Sequence, residues 1–180
     1  TMLLPANAFA ANRSDFSDLP NDWSTEPLIR AIDNGLLSGS NGKINGKGLL
    51  TRAQLAAIIN RAFGAVKSAS WTNFNDVLPS EWYYNDIAKS VQMGILQGSN
   101  GMMNPNDPVT REEAFTVLAR AFALTDDSSA ALEQFTDNGS VSPWAADSIA
   151  ALVEGGYVNG ANGRLSPKAN ITRAEFAKLI

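Results

Sequence analysis

Apolar residues recur at every fourth position from Ile87 through Val91 to Ile95, the period of a helix with one buried face. Gly94 stands where that helix should close, because a left-handed terminal residue is least costly at glycine. Similar segments follow Trp23 and Trp144, with Gly35 and Gly156 at the same distance past the tryptophan as Gly94 is past Trp82. A second helix is predicted downstream of each. Thr51 with Gln54, Thr110 with Glu113 and Thr172 with Glu175 carry the capping-box spacing: a hydroxyl at the N-cap and an acid or amide three residues on. Leu50/Leu55 and Ile171/Phe176 add the positions of a hydrophobic staple, and Val109/Ala114 a weaker version. These second helices are almost continuously apolar (Ala57-Ile58-Ile59, Phe115 to Leu118), which assigns them to the centre of the core. The first is expected to run to Phe63 with Gly64 closing it, and the second to about Leu124. The third is still in progress at Ile180 and reads as a truncated helix. Strand content should be minimal, with at most a brief extended piece near Arg164–Ser166.

The elements return at fixed spacings. Each of Trp23, Trp82 and Trp144 is followed 16 residues later by Gly39, Gly98 or Gly160, and 19 later by Gly42, Gly101 or Gly163. Thr-Arg follows each tryptophan by 28 residues, at 51–52, 110–111 and 172–173. Three such coincidences define a tandem repeat. The expected organisation is a tail at 1–12, then repeats at 13–66, 72–126 and 133–180. The linkers Gly64–Asn73 and Thr125–Gln134 are short and polar. Each copy is too small to bury its own apolar face, so the chain is read as all-α: three helix-loop-helix units closed around a shared core.

Composition narrows the chemistry. A net charge of −4 disfavours general nucleic-acid binding, so an anion site must be built locally from a few groups. The chain has neither Cys nor His, which removes disulfides, thiolate metal sites and the commonest general base. No remaining carboxylate or serine is arranged for catalysis, and the chain is read as a non-enzyme without cofactor or metal. The oxygen-rich stretches Asn104–Asp107 and Asn138–Ser140 lack the alternating ligand pattern of a calcium loop. No segment approaches the ~20 apolar residues of a membrane span. Ala8-Phe9-Ala10 after Met2-Leu3-Leu4 fits the end of a signal peptide and favours export. The abrupt end at Ile180 reads as a fragment, with a fused C-terminal cargo domain expected.

The repeated Arg52, Arg111 and Arg173 fall at the first helical position, where a cation opposes the helix dipole by a few tenths to ~1 kcal/mol. Stability alone favours an acid or proline there. Two explanations remain open. Helix N-terminus, arginine fork and a loop with exposed N–H groups can together receive a carboxylate or phosphate. Alternatively each arginine pairs with an aspartate of the repeated Phe-x-Asp motif (Asp18, Asp76, Asp137). Under the first, Arg111→Ala should leave stability unchanged or slightly raised; under the second it should lower it. Trp23, Trp82 and Trp144 are expected mainly in the core, with a ligand-groove edge as the alternative. The loop glycines are required for turns under either reading.

Phe-x-Asp, Trp, an apolar helix, Gly-x-x-Gly and a signature tetrad (Thr-Arg-Ala-Gln at 51–54, Thr-Arg-Glu-Glu at 110–113, Thr-Arg-Ala-Glu at 172–175), three times over, resemble the S-layer homology domain family. The resemblance covers residues 15–180. It implies a pseudo-threefold, three-pronged domain with the second helices in a central bundle. It also implies noncovalent attachment of an exported protein to the bacterial cell wall, at the S-layer surface, through a secondary cell-wall polysaccharide with pyruvate-ketal sugars. The implied ligand residues are Arg52, Arg111 and Arg173 with Gly39/Gly42, Gly98/Gly101 and Gly160/Gly163. Asp18, Asp76, Asp137 and the three tryptophans complete the expected site. Gly46 in place of Pro105 and Pro167, and Gln54 in place of an acid, set the first repeat apart and imply a more mobile loop. The alternatives are a protein-protein assembly module and binding to modified peptidoglycan.

Overall fold

A computed structural model describes residues 13–65, 74–125 and 128–180. The signal-like stretch at 1–12 and most of the first linker lie outside the described residues. Six α-helices carry the chain: α1 (Thr25–Asp33), α2 (Arg52–Ala62), α3 (Tyr84–Gln92), α4 (Arg111–Ala121), α5 (Pro143–Glu154) and α6 (Arg173–Leu179). Among the described residues there is no strand, only isolated β-bridges, so the all-α reading holds.

The helix boundaries follow from local chemistry. Gly35, Gly94 and Gly156 close α1, α3 and α5 at φ of +68°, +70° and +74°. All three capping boxes form. Thr110 and Thr172 donate their backbone N–H to Glu113 and Glu175 at 2.8 Å, whereas Thr51 reaches the neutral Gln54 amide at 3.4 Å. Helix α4 ends earlier than expected, at Ala121, with Ala123 taking the left-handed conformation (φ +53°) that glycine supplies after α2. The second linker is also more structured than its polarity implies. Ser128 caps a 3-10 turn at Ser129–Leu132, which packs against α5 and buries Leu132.

The described residues divide into two compact units, one of the chain up to Gly48 with Thr172–Lys178 and Ile180, the other of Leu49–Ile171 with Leu179. In the larger unit, the residues before the three threonine caps close a ring. Leu50 donates its N–H to the Ile171 carbonyl, Ile171 to Val109, and Val109 to Leu50, at 3.0, 2.9 and 2.9 Å. Leu50, Val109 and Ile171 are all fully buried. Each repeat thus gives one hydrogen bond to a neighbour and receives one from the other, an arrangement that requires three copies.

The physical repeat is offset from the sequence repeat. Helix α2 begins on the loop of the second repeat: Arg52 and Ala53 donate their N–H groups to the carbonyls of Asp107 and Pro105. Helix α4 does the same on the third loop, through Arg111 to Ala169 and Glu112 to Pro167. In the smaller unit Arg173 and Ala174 of α6 donate to Gly48 and Gly46. The orphan donors of each helix start are thereby satisfied by carbonyls. Gly46 keeps the acceptor role of Pro105 and Pro167, and Leu28 already fills the space beside it, 2.6 Å from where a Cβ would stand.

Private polar contacts fix the pairings in the larger unit. The amide of buried Asn60 on α2 donates to the Asp86 carbonyl and accepts from Ser90, both on α3. On α4, buried Glu112 accepts from the Ser142 N–H and hydroxyl at the start of α5, and from Lys168 at 2.6 Å. Glu112 occupies the position held by Ala53 and Ala174 in the other repeats, so this contact is peculiar to one junction. A buried acid left without these partners would be costly.

Candidate functional site

The repeated glycine loop is a two-residue hairpin. In the first repeat Ser40 and Lys43 exchange both backbone hydrogen bonds (2.9 and 3.0 Å), with Asn41 at φ +52° and Gly42 at +68°. Asn100-Gly101 and Asn162-Gly163 repeat it, and Asn-Gly is the pair whose positive φ values match such a turn. The first glycine of each loop serves a different need. A Cβ on Gly160 would stand 2.5 Å from the Arg164 carbonyl and 2.7 Å from the Phe135 ring. Gly39 and Gly98 meet Phe16 and Phe74 in the same way, without a positive φ. The aromatic of each Phe-x-Asp motif therefore rests where a side chain is missing.

The aspartates hold the hairpin from its far side. Asp18 accepts from the N–H groups of Ile44 and Asn45 (2.7 and 2.9 Å), Asp76 from Met103 and Asn104, and Asp137 from Leu165 and Ser166. Desolvation raises the pKa of Asp18 and Asp137, but two backbone N–H bonds each outweigh it, so both lie below the usual carboxylate value. These carboxylates are scaffold. The open N–H groups expected in the loop are in large part taken up by the hairpin and by these aspartates.

The arginines lie at the first helical position, as read from sequence, and reach into the loop of the next repeat. Arg52 donates Nε to the Met103 carbonyl (2.7 Å), Nη2 to the Gln97 carbonyl (2.8 Å) and Nη1 to Glu113 (3.1 Å). Arg111 donates Nε to Leu165 (2.8 Å) and lies 5.1 Å from the Phe115 ring centre. Arg173, buried, donates to Ile44 and Ser38. A cation at a helix start is here sustained by carbonyl acceptors brought from another repeat. The partner of Arg52 is Glu113 with two carbonyls rather than an aspartate, and the first two N–H groups of each second helix donate to loop carbonyls.

A cavity of about 420 Å³ opens beside Arg52 in the larger unit. The loop contributes Gln97, Gly98, Ser99, Met102 and Asp107, α4 contributes Glu113, Thr116 and Arg120, and Trp144 forms an apolar wall. The structure thus brings Arg52, Gly98 and Trp144 together, from three different repeats. Arg120 was missed in the sequence, although it follows Arg111 at the same distance as Arg61 follows Arg52.

The core assignment of the tryptophans is overturned: Trp23, Trp82 and Trp144 are 59%, 60% and 55% exposed. They stand at or just before the first helices, outside the apolar stripe that α1, α3 and α5 turn inward. Trp23 lies 5.7 Å from the Lys178 ammonium, and Trp82 meets Tyr83 edge-on. Among the described residues no group of three or more acids could hold a metal ion, and no helix is long and apolar enough to cross a membrane.

The chain is 35% identical over 176 residues to the surface-layer 125 kDa protein of Lysinibacillus sphaericus, covering 94% of this chain and 15% of that protein. It is 29% identical to an amylopullulanase of Thermoanaerobacterium thermosulfurigenes, over 92% of this chain and 9% of the enzyme. It is 26% identical to a cellulosome-anchoring protein of Acetivibrio thermocellus, over 98% of this chain and 40% of that protein. The chain therefore spans only a minor part of these relatives. The S-layer homology domain model matches three times, at residues 15–56, 73–115 and 134–177, and the chain belongs to the S-layer homology domain family.

Proposed function

We propose that the chain is a noncovalent attachment module that holds an exported protein on the bacterial cell wall by binding an acidic secondary cell-wall polysaccharide through pyruvate-ketal sugars. The observation that carries this reading is the cavity beside Arg52, where guanidinium groups and an apolar indole wall face one space. A pyruvate ketal presents a carboxylate and a methyl group on one carbon, so it asks for both surfaces at once. The names of the surface-layer and cellulosome-anchoring relatives support attachment. The enzymes among the relatives share only a small fraction of their length with this chain, which supports attachment rather than catalysis as the role of the shared stretch.

A second reading, protein-protein assembly, draws on a different surface. Exposed Phe63 meets half-buried Phe122 edge-on, and Phe122 stacks on exposed Tyr157, with ring centres 5.2 and 5.1 Å apart. Cosedimentation with purified walls, before and after mild-acid removal of pyruvate, separates the readings. Loss of binding after depyruvylation supports the acidic-sugar reading. Unchanged binding to depyruvylated polymer refutes it, and binding to peptidoglycan stripped of polysaccharide favours the modified-peptidoglycan alternative.

A further inference from the structure

We propose that Arg120, not Arg52, is the residue that receives the ligand's carboxylate in the cavity beside Trp144. This inference rests on the acidic-sugar reading and names the contact within it. Both arginines line the same space, but their donors are committed very differently. The Arg52 side chain is 13% exposed; its Nε, Nη1 and Nη2 donate to two carbonyls and to Glu113, and Nη2 also lies 3.6 Å from the Met103 sulfur. Its charge is balanced by Glu113 within the fold. Turning that fork toward a ligand would release the Met103 carbonyl and a carboxylate from their donor.

Arg120 stands on the last turn of α4 and is half-buried. Its one hydrogen bond among the described residues runs from Nη1 to the Ile95 carbonyl at 3.3 Å, and among them it makes no ion pair. Five N–H donors on one guanidinium leave a fork for a bidentate acid. Helix-dipole complementarity alone explains a cation in a last turn, and a lysine would serve it equally. It does not explain why a guanidinium lines a cavity that Trp144 and Met102 also line. Two carboxylates also line the cavity: Glu113 is paired with Arg52, and Asp107 can accept sugar hydroxyls.

The test uses the whole chain and two methyl glycosides of one hexosamine, the 4,6-O-pyruvyl ketal and its 4,6-O-isopropylidene twin, in which a methyl replaces the carboxylate. The readout is the methyl resonance of Met102, a half-exposed residue of this cavity, in protein labelled at its methionine methyls. Wild type should prefer the pyruvyl glycoside, and Arg120→Ala should reduce that preference by about tenfold or more. Arg120→Lys should recover little of it, and both variants should melt within about 3 °C of wild type. An undiminished preference in Arg120→Ala, or full recovery by lysine, overturns the assignment and leaves the acidic-sugar reading standing. No preference in wild type overturns both, and pyruvyl binding that leaves Met102 unmoved removes the ligand from this cavity.

Discussion

Replacing Arg52 by alanine distinguishes a residue held for stability from one held against it. The helix dipole alone predicts a gain of a few tenths to ~1 kcal/mol, since a cation is removed from a helix start. The hydrogen bonds predict the reverse. Met103 is fully buried, so its carbonyl cannot turn to water, and losing the Nε donor should cost about 1–3 kcal/mol. The Gln97 carbonyl belongs to an exposed residue and rehydrates at little cost. Glu113 is 31% exposed, so its ion pair with Arg52 contributes less than about 1 kcal/mol. The balance is a net loss of about 1–3 kcal/mol, or roughly 3–9 °C in melting temperature for a chain of this size. Arg52→Lys should recover less than half, because one ammonium cannot reproduce the planar fork toward Met103 and Gln97. Chemical denaturation monitored by circular dichroism measures this directly. A midpoint at or above that of wild type would refute the structural role assigned to the carbonyl contacts.

Three further outcomes follow from the same geometry. Gly98→Ala places a Cβ against the Phe74 ring and 2.6 Å from the Met102 carbonyl, and should cost about 1–3 kcal/mol in thermal unfolding although Gly98 needs no positive φ. Gln54→Glu puts an ionised acceptor where Thr51 now reaches an amide at 3.4 Å, and should raise stability by about 0.3–1 kcal/mol. Asp18 and Asp137 are held below the usual carboxylate value, so their stabilising contribution is complete above about pH 4–5 and is lost as pH falls through their lowered pKa values. Melting temperatures across pH 2–7 should therefore drop on the acid side (roughly below pH 4). Asp137→Asn should be less stable at neutral pH and show a shallower acid slope.

Much of the fold was legible because it is written locally and three times. Capping boxes, staples and closing glycines depend on residues within one turn of each other, so their spacing alone located the helix starts. The pairing of repeats was not legible, since nothing in Thr51-Arg52 says that its helix begins on Pro105 and Asp107. The arginines show the same limit. Their conflict with the dipole was visible, but its resolution lies in carbonyls about fifty residues away for Arg52 and Arg111. The tryptophans show that size does not entail burial, since their place at the entrance to each first helix leaves more than half of each residue exposed. Of the cavity, Arg52, Gly98 and Trp144 were read in advance, whereas Arg120 has a sequence signal only as a second arginine nine residues past the first, matched by Arg61.

The most direct measurement of the attachment function is a nuclear magnetic resonance titration of the wild-type chain with a pyruvylated wall oligosaccharide and its depyruvylated counterpart. Saturable shifts of the Met102 methyl and the Trp144 indole with the acidic oligosaccharide, absent with the neutral one, are the result predicted. Equal responses to both, or shifts confined to Phe63, Phe122 and Tyr157, would contradict an acidic-sugar site in this cavity.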